Sequence, residues 1–352
     1  MVKNRFLMKQ KMKRYNNLFD KIISIENLRL ADEKARKGKT NSYGVKVHDK
    51  NREDNILKLH QALKNGTFRT SEYTIFKIYE PKERDIYRLP YYPDRIVHHA
   101  IMNIMEPIWT SIFTNDTCAC IKKRGLKGAF ERMKKYLKDI EGTQYCLKID
   151  IKKFYPSIDH GKMKWVIRKK IKDERLLQLL DGIIDSADGV PIGNYLSQYF
   201  ANLFLAYFDH YVKEVLKVKY YVRYADDMVF LTSSKEELIE ILKRTKDYIG
   251  SLQLRLKGNE QIFRVAYNNT DKHARGIDFV GYVFYHNQTL LRKSIKKRLI
   301  RKCCYMNKLE FISHKSYKMG VGSWWGWIKY SNSRNLARKY IKREVLEQMR
   351  WD

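Results

Sequence analysis

The sequence predicts an α+β fold, and three features lead to that class. Runs of β-forming residues and stretches of helical spacing are interleaved along the chain, which favours α+β over a doubly wound parallel sheet. Hydrophobic residues make up 44% of the chain and aromatic residues 13%, which is enough apolar material for a large core. A length of 352 residues predicts two or three domains.

The first part of the chain is predicted to be mainly helical, with one extended region. Residues 1–70 are basic and helical in pattern. Residues 71–95 are rich in β-formers and predict extended segments. Helical spacing marks residues 95–113 and 128–140. One face of the second of these helices would carry Phe130, Met133, Leu137 and Ile140.

The rest of the chain alternates between strands and helices before a helical tail. In order, the pattern predicts a strand over 145–150, helices over 162–184 and 194–218, a hairpin over 220–231, a helix over 235–250 and a second hairpin over 276–291. Ser233 and Ser234, followed by acidic residues, are typical of the start of the helix at 235. The tail, residues 291–352, carries 17 Lys or Arg and four acids.

The charge of the chain indicates a polyanionic partner. The formal net charge is +32, from 71 Lys and Arg against 39 Asp and Glu. Nucleic acid is the leading candidate for a partner of so basic a protein. A basic structural RNA-binding protein of unrelated fold is an alternative that charge alone leaves open.

Cysteine usage and hydropathy argue against several other classes of protein. The five cysteines show no paired CxxC spacing, so neither a zinc site nor a disulfide framework is expected. Reduced thiols are typical of a cytosolic protein. Residues 189–208 contain no charged residue, but their proline, glycines and amides argue against a membrane span. Charges throughout the first 20 residues argue against a signal peptide.

Two acidic sites are the candidates for catalysis. Asp226 and Asp227 lie between two apolar runs, a pattern of strand, tight turn and strand with both carboxylates at the tip. Asp150 closes the predicted strand 145–150. Carboxylates that meet at strand ends suit a two-Mg²⁺ site for phosphoryl transfer. The alternative is that the two adjacent aspartates merely form a polar turn.

Several segments together resemble the motifs of reverse transcriptases, in the order in which that family has them. The resemblance runs from about residue 70 to the C-terminus. It rests on Ile149-Asp150-Ile151-Lys152-Lys153-Phe154-Tyr155, on Tyr224-Ala225-Asp226-Asp227, on Pro81-Lys82-Glu83-Arg84-Asp85-Ile86, on Asp94-Arg95-Ile96-Val97-His98-His99-Ala100, on Gly276-Ile277-Asp278-Phe279-Val280-Gly281-Tyr282 and on Ser323-Trp324-Trp325-Gly326-Trp327.

The resemblance implies a right-hand polymerase. Residues 1–70 would form a basic helical N-terminal extension, residues 71–290 the fingers and palm, and residues 291–352 a basic helical thumb. The cofactor would be two Mg²⁺ ions, for which Mn²⁺ could substitute. The catalytic and metal-binding groups would be Asp150, the Ile151 carbonyl, Asp226 and Asp227.

Other roles also follow from the resemblance. Lys82 and Arg84 would hold the triphosphate of the incoming dNTP, and Tyr155 would exclude ribonucleotides beside the sugar, although it could also be a core aromatic. Ile192 would lie near the templating pair, or would merely pack under the palm. The primer grip would use Phe279, Gly281 and Tyr282. The thumb would hold nucleic acid through Lys296, Lys297, Arg298, Arg301 and Lys302.

One segment indicates which reverse transcriptases the chain resembles more closely. Residues 189–198 read IGxxxSQ through Ile192, Gly193, Ser197 and Gln198, where group II intron enzymes typically read QGxxxSP. The departure resembles the enzymes of diversity-generating retroelements. Those copy a template-repeat RNA into cDNA with errors at adenines, and the cDNA replaces a variable region of a target gene (mutagenic retrohoming).

That closer resemblance implies partners and a location. The partners would be template RNA, the RNA/DNA duplex, dNTPs and a small basic accessory protein, with no membrane, in the cytoplasm of a bacterium or as a phage-encoded enzyme. Two alternatives on the same fold are another group II-like or retron-like bacterial reverse transcriptase and a non-catalytic RNA-binding scaffold.

Overall fold

The computed structural model describes residues 13–79, 83–309 and 311–349, which contain both helices and strands. The helices are α1 (Phe19–Ile23), α2 (Ile25–Ala35), α3 (Tyr43–Asp49), α4 (Arg52–Lys64), α5 (Ile96–Thr110), α6 (Gly125–Tyr136), α7 (His160–Arg168), α8 (Glu174–Ile184), α9 (Tyr195–Phe204), α10 (Ala206–His210), α11 (Lys235–Ser251), α12 (Lys293–Asn307), α13 (His314–Ile328), α14 (Arg334–Tyr340) and α15 (Arg343–Glu347). The strands are β1 (Thr74–Ile78), β2 (Arg84–Arg88), β3 (Tyr145–Asp150), β4 (Tyr220–Tyr224), β5 (Asp227–Thr232), β6 (Gln261–Arg264), β7 (Ile277–Phe279), β8 (Tyr282–Phe284) and β9 (Thr289–Leu291).

The chain forms two compact units whose segments alternate in sequence. The first comprises the described parts of 1–121, 151–215 and 246–256, and the second comprises those of 122–150, 216–245 and 257–352. None of the helices in the described ranges is both long and apolar enough to cross a membrane.

The first unit is largely helical. Its helix α5 packs against α2 and α9, and buried Asn27 of α2 donates hydrogen bonds to the carbonyl oxygens of Ile22 (2.7 Å) and Ala100 (3.1 Å). A buried amide that finds two backbone acceptors holds these helices in one arrangement, because leaving its donors unpaired would cost free energy. Strands β1 and β2 form a separate antiparallel hairpin.

The second unit contains a four-stranded antiparallel sheet in the order β4-β5-β3-β6. The two central strands, β5 and β3, consist largely of apolar residues. Leu147 and Ile149 of β3 are buried, and so are Val229 and Phe230 of β5. A strand buried on both faces reads as a continuous apolar run, which is the pattern of β5. This unit also contains a second, three-stranded sheet β7-β8-β9, helices α6 and α12–α15, and most of α11.

Three predicted helices differ from the structure. The helix expected over 162–184 is two helices, because the chain between α7 and α8 is extended and pairs with Tyr15, whose N–H donates to the Lys170 carbonyl oxygen at 2.7 Å. Asp173 then caps α8 by accepting from the Leu176 N–H at 3.2 Å, and it also accepts from the Leu18 N–H at 2.7 Å. Backbone partners distant in sequence thus replace the helical hydrogen bonds.

The other two differences are earlier helix ends. The helix expected over 194–218 ends at Phe204, and after Leu205 (φ −98°, ψ 0°) the chain continues as α10 and a wide turn, Tyr211–Val215. The helix expected over 128–140 is α6, which ends at Tyr136. Ile140 lies beyond that end and is 47% exposed, so it does not share the buried face of Phe130 and Met133.

Candidate active site

Three carboxylates lie together at one end of the sheet in the second unit. Strands β3 and β5 are antiparallel and in a register that places Asp150 opposite Asp227. Asp226 occupies the tight turn between β4 and β5, where Ala225 has a positive φ of 56°. The expected strand–turn–strand around the two adjacent aspartates is confirmed, and its register brings Asp150 to it.

The buried side chain of Arg223 stabilises this turn through a hydrogen bond to its backbone. Its side chain is fully buried in β4, and its Nη1 donates to the Ala225 carbonyl oxygen at 2.9 Å. A guanidinium in such a place needs hydrogen-bond partners, since an unpaired buried charge is costly. Sequence reasoning missed this residue. The signal for it was a single arginine within an otherwise apolar strand that leads into the acidic turn.

Burial and mutual repulsion disfavour the ionised forms of Asp226 and Asp227. Burial first, and then the charge of Asp150, raises the pKa of Asp226 to about 6. Burial also raises the pKa of Asp227 to about 6, against the opposing effect of the Lys148 ammonium. The Asp227 side chain is 29% exposed, yet its Oδ1 is buried and has no hydrogen-bond partner. The site therefore contains more negative charge than its surroundings neutralise.

Two lysines partly neutralise the cluster. The Lys148 Nζ lies 3.4 Å from the Asp227 Oδ2, and the Lys257 Nζ lies 3.1 Å from the Asp150 Oδ2. Neither lysine was predicted to belong to the site. Lys148 is half-buried between the buried residues Leu147 and Ile149 of β3, and the pairing of β3 with β5 determines which carboxylate it meets.

The donor set fits a hard divalent cation. In the ranges that the structure describes, no three His, Cys, Asp or Glu side chains are already close enough together to hold a metal ion. Asp150, Asp226 and Asp227 nevertheless offer carboxylate oxygens only, the ligand type that Mg²⁺ prefers. The partnerless Oδ1 of Asp227 and the raised pKa values are what a carboxylate cluster without its cation should have.

In the first unit, the predicted sugar gate lies beside the loop of residues 189–193. Tyr155 begins a short helical turn, and its carbonyl oxygen accepts from the Val190 N–H at 2.9 Å. Gly189 has a φ of +60°, and a Cβ there would stand 2.6 Å from the carbonyl oxygens of Tyr155 and Pro156. Only glycine allows the loop to lie this close to the turn.

The other end of the same loop contacts strand β2. The Tyr87 N–H donates to the Ile192 carbonyl oxygen at 2.8 Å, and a Cβ on Gly193 would stand 2.6 Å from the Tyr87 carbonyl oxygen. Arg84 is the first residue of that strand and is exposed. Lys82, the other predicted triphosphate ligand, lies outside the described residues. A backbone hydrogen bond thus connects Ile192 to β2, the strand that begins at Arg84.

His160 fixes the position of the loop and was not predicted. Its Nε2 donates to the Gly189 carbonyl oxygen at 2.9 Å, and its Nδ1 lies 3.2 Å from the Asp185 Oδ1. The Lys164 Nζ contacts the other oxygen of that carboxylate at 2.5 Å. No sequence pattern marks these residues, because the contacts depend on the break between α7 and α8.

The remaining motif residues of this segment lie on α9 and differ in exposure. Ser197 is buried, Gln198 is exposed, and Ile192 before the helix is half-buried. His99 of α5 stacks on Tyr195 of α9 with ring centroids 4.5 Å apart. Burial lowers the pKa of His99 to about 4, which keeps its ring neutral at ordinary pH.

The predicted primer grip is the turn between β7 and β8 in the second unit. Its aromatic residues are core residues: Phe279 is fully buried, and Tyr282 packs against Phe130 and Trp327 at centroid distances of 4.7 and 5.3 Å. Gly281, with a φ of +88°, lies against the Trp327 ring. Val280 and Gly281 between them are buried as well, so all four residues of the turn belong to the core of the second unit.

The predicted nucleic-acid grip lies on the exposed surface of α12. Leu299, Cys303 and Met306 face the core of the second unit. The exposed residues of this helix include all five predicted cations, which are Lys296, Lys297, Arg298, Arg301 and Lys302. A row of exposed cations on a helix is the arrangement that neutralises successive phosphates.

Comparison with known proteins identifies a family. The profile described as "Reverse transcriptase (RNA-dependent DNA polymerase)" matches residues 80–284, more than half of the chain. Escherichia coli protein YkfC is 26% identical over 229 residues, which are 51% of this chain and 60% of YkfC. The group II intron-encoded protein LtrA of Lactococcus lactis is also 26% identical, over 48% of this chain and 30% of LtrA.

Two further likenesses agree with that match. The Retron Ec73 reverse transcriptase of Escherichia coli is 28% identical, over 48% of this chain and 60% of its own length. The chain thus spans 60% or less of each of these relatives. The apo telomerase from Candida tropicalis has a TM-score of 0.51 at 12% identity, over 79% of this chain and 57% of that one. This structural likeness confirms the expected α+β, right-hand polymerase fold.

Proposed function

The chain belongs to the reverse transcriptase family, and from that premise we propose that it is an RNA-directed DNA polymerase whose active centre is the cluster of Asp150, Asp226 and Asp227. The observation that carries this proposal is the register of β3 against β5, which places three carboxylates together around a turn held by Arg223. A polar turn without function would have no need to hold a partnerless carboxylate oxygen beside two further acids.

The proposed reaction is attack of a primer 3′-OH on the α-phosphate of a dNTP. Reverse transcriptases generally use divalent metal ions, and Asp150, Asp226, Asp227 and the Ile151 carbonyl would hold Mg²⁺, which would stabilise the charge on the reacting phosphate oxygens. The carboxylates fix the reaction centre on a rigid sheet. Lys148 and Lys257 keep the cluster from repelling the substrate phosphates outright, since each neutralises part of a carboxylate charge.

The first unit would select the nucleotide. Arg84 would bind the triphosphate, and Tyr155 would screen C2′ of the sugar, as the family resemblance implies. The 189–193 loop supports both roles, because its ends are hydrogen-bonded to the Tyr155 turn and to strand β2. On α12 the exposed cations would hold the template–primer duplex. Residues 1–70, 71–290 and 291–352 would be the extension, the fingers with palm, and the thumb.

Primer extension on a defined RNA template tests the proposal. The full chain should extend a DNA primer with dNTPs when Mg²⁺ is present, and should stop when a chelator removes it. Addition of Mg²⁺ should restore extension, because removing the ion leaves the β3–β5 pairing that carries the three aspartates unchanged. A protein that binds the template but never incorporates a dNTP, with either Mg²⁺ or Mn²⁺, would be a non-catalytic scaffold.

We also propose a more specific function within this family. The protein would copy a template-repeat RNA with errors, for diversity generation, and its partner would be a small basic accessory protein. The feature that favours it is the apolar Ile192 at the position where related accurate enzymes carry Gln. Ile192 is half-buried on the loop, and only its backbone is hydrogen-bonded. The alternative is a group II-like or retron-like enzyme, the classes to which LtrA and the Ec73 protein belong by name.

Ile192→Gln is expected to make copying more accurate. A glutamine amide can hydrogen-bond near the incoming nucleotide, and such a bond is worth about 0.5–1.5 kcal/mol net, a factor of roughly 2–13 in selectivity. Sequencing cDNA copied from an RNA of known sequence should show fewer errors opposite adenine. Ile192→Val, which adds no polar group, should keep the parent error spectrum. Equal spectra for parent and Ile192→Gln, both active, would remove Ile192 from fidelity.

A further inference from the structure

A cavity of about 460 Å³ lies in the first unit, and none of the predicted site residues lines it. Its walls come from the end of α4 and the loop that follows it, residues 63–70, and from α8, residues 175–183. The Phe19 ring of α1 forms part of its apolar surface. A volume of this size is within the range of small-molecule sites.

One wall of the cavity is a fixed, planar cation. The guanidinium carbon of Arg175 lies 4.2 Å from the centroid of the Phe19 ring. The same guanidinium donates to the Lys64 carbonyl oxygen at 3.2 Å and to the Asp20 Oδ1 at 3.0 Å. Three contacts hold its plane in one orientation. Guanidinium planes and aromatic rings are the surfaces on which proteins stack nucleobases.

The rim of the cavity carries cations that have no carboxylate partner. Arg69 uses its Nη1 for the carbonyl oxygens of Gly66 (2.8 Å) and Phe68 (2.7 Å), which leaves its Nη2 and Nε free of hydrogen bonds within the described residues. Lys64, the last residue of α4, makes no ion pair there either. A guanidinium anchored by backbone acceptors and an ammonium that lines the same cavity are suited to bind a phosphate group.

We propose that this cavity binds one nucleotide, with the base against Phe68 and Arg175 and the phosphate between Lys64 and Arg69. Polar groups for the edge of a base stand around it, and they are Asn65, Thr70 and Gln178. The nucleotide belongs either to a single-stranded part of the RNA or to the free nucleotide pool, since both present the same base and phosphate. The proposal does not depend on polymerase activity.

A single glycine allows the cavity to be filled without removing any contact. Gly182 lies on the cavity side of α8, is exposed, and has no atom within 4 Å of an added Cβ. Gly182→Phe would therefore place a ring in the cavity, and replacing an exposed helical glycine favours the helix. The matched control is Gly250→Phe, because Gly250 is also exposed and helical with nothing within 4 Å of its Cβ, but lies outside the cavity.

Photocrosslinking with two probes tests the proposal. The probes are 8-azidoadenosine 5′-monophosphate and a short single-stranded oligoribonucleotide that carries 8-azidoadenosine, and the crosslinked peptides are identified by mass spectrometry. Crosslinks should fall within residues 63–70 or 175–183 of the parent and of Gly250→Phe. In Gly182→Phe their yield should fall about tenfold, equivalent to about 1.4 kcal/mol of binding. Arg69→Gln, a change at an exposed side chain, should also lower it.

The pattern of crosslinks shows whether the bound nucleotide is free or is part of an RNA. Crosslinks from the mononucleotide identify a free nucleotide as the ligand, and crosslinks from the oligoribonucleotide alone identify a segment of RNA. The proposal is overturned if neither probe labels these two segments, or if labelling is undiminished in both Gly182→Phe and Arg69→Gln. Crosslinking to the cavity does not require primer extension, so an inactive parent would count against the polymerase proposal and not against this site.

Discussion

Primer extension is expected to fall by at least about a thousandfold when Asp226 is replaced by Asn, because losing one carboxylate of the cluster removes about 4 kcal/mol or more of transition-state stabilisation. Asn keeps the shape of the side chain and removes its charge. Asp226 lies in the turn next to Asp227, which pairs with the end of β3 at Asp150, so the substitution changes the charge at the centre of the cluster. Asp150→Asn should have an effect of the same order. Single-turnover extension of a labelled primer measures both.

RNA binding by Asp226→Asn should stay close to that of the parent. Binding rests on the neutralisation of phosphates by Lys and Arg in a chain of net charge +32, and replacing one aspartate by Asn removes none of these cations. Equilibrium binding of the same RNA, measured at two salt concentrations, checks this.

The folding stability of Asp226→Asn should be unchanged or higher when no metal is added. Burial and the neighbouring Asp150 raise the pKa of Asp226, so its ionised form is destabilising in the folded protein at neutral pH. Asn removes that repulsion, and thermal unfolding with a chelator present should show no loss. The matched control is Asp247→Asn on α11, an exposed carboxylate outside the cluster, which should extend primers like the parent. Extension that survives in Asp226→Asn would remove this residue from the site.

The second large effect is expected from Gly189→Ala. An alanine at φ +60° costs about 1–2 kcal/mol in backbone strain alone. Its Cβ would also stand 2.6 Å from the carbonyl oxygens of Tyr155 and Pro156, which are backbone atoms and cannot turn aside. The loop must therefore separate from the Tyr155 turn. We expect extension to fall at least about tenfold, which is about 1.4 kcal/mol, and the ratio of ribonucleotide to dNTP incorporation to rise.

Gly38→Ala separates backbone strain from the close approach. Gly38 has a φ of +71° in the same unit, but no atom lies within 4 Å of its added Cβ. Its alanine variant carries the same strain without the collision and should extend primers and select sugars like the parent. If Gly189→Ala extends and selects as well as Gly38→Ala, the contact between the 189–193 loop and the Tyr155 turn has no part in nucleotide selection.

The sequence by itself determined the fold class, most of the elements and the acidic motif. The hairpin around Asp226 and Asp227 was readable because two apolar runs of strand length flank it. Helix α5 was readable from its helical spacing, and α11 was readable because Ser233 and Ser234, followed by acidic residues, mark its start. These features are local: the period of the side chains and the residues at a turn are set within a few positions of one another.

Only the tertiary structure decided where helices break and which charges meet. The gap between α7 and α8 exists because Tyr15 and Leu18 supply backbone partners from more than 150 residues away. Arg223, Lys148 and His160 hold the candidate site through contacts that no spacing encodes. The reason is physical. A side chain's partner across a sheet or a loop depends on register and packing, and these are set by the whole core, so local sequence leaves them open.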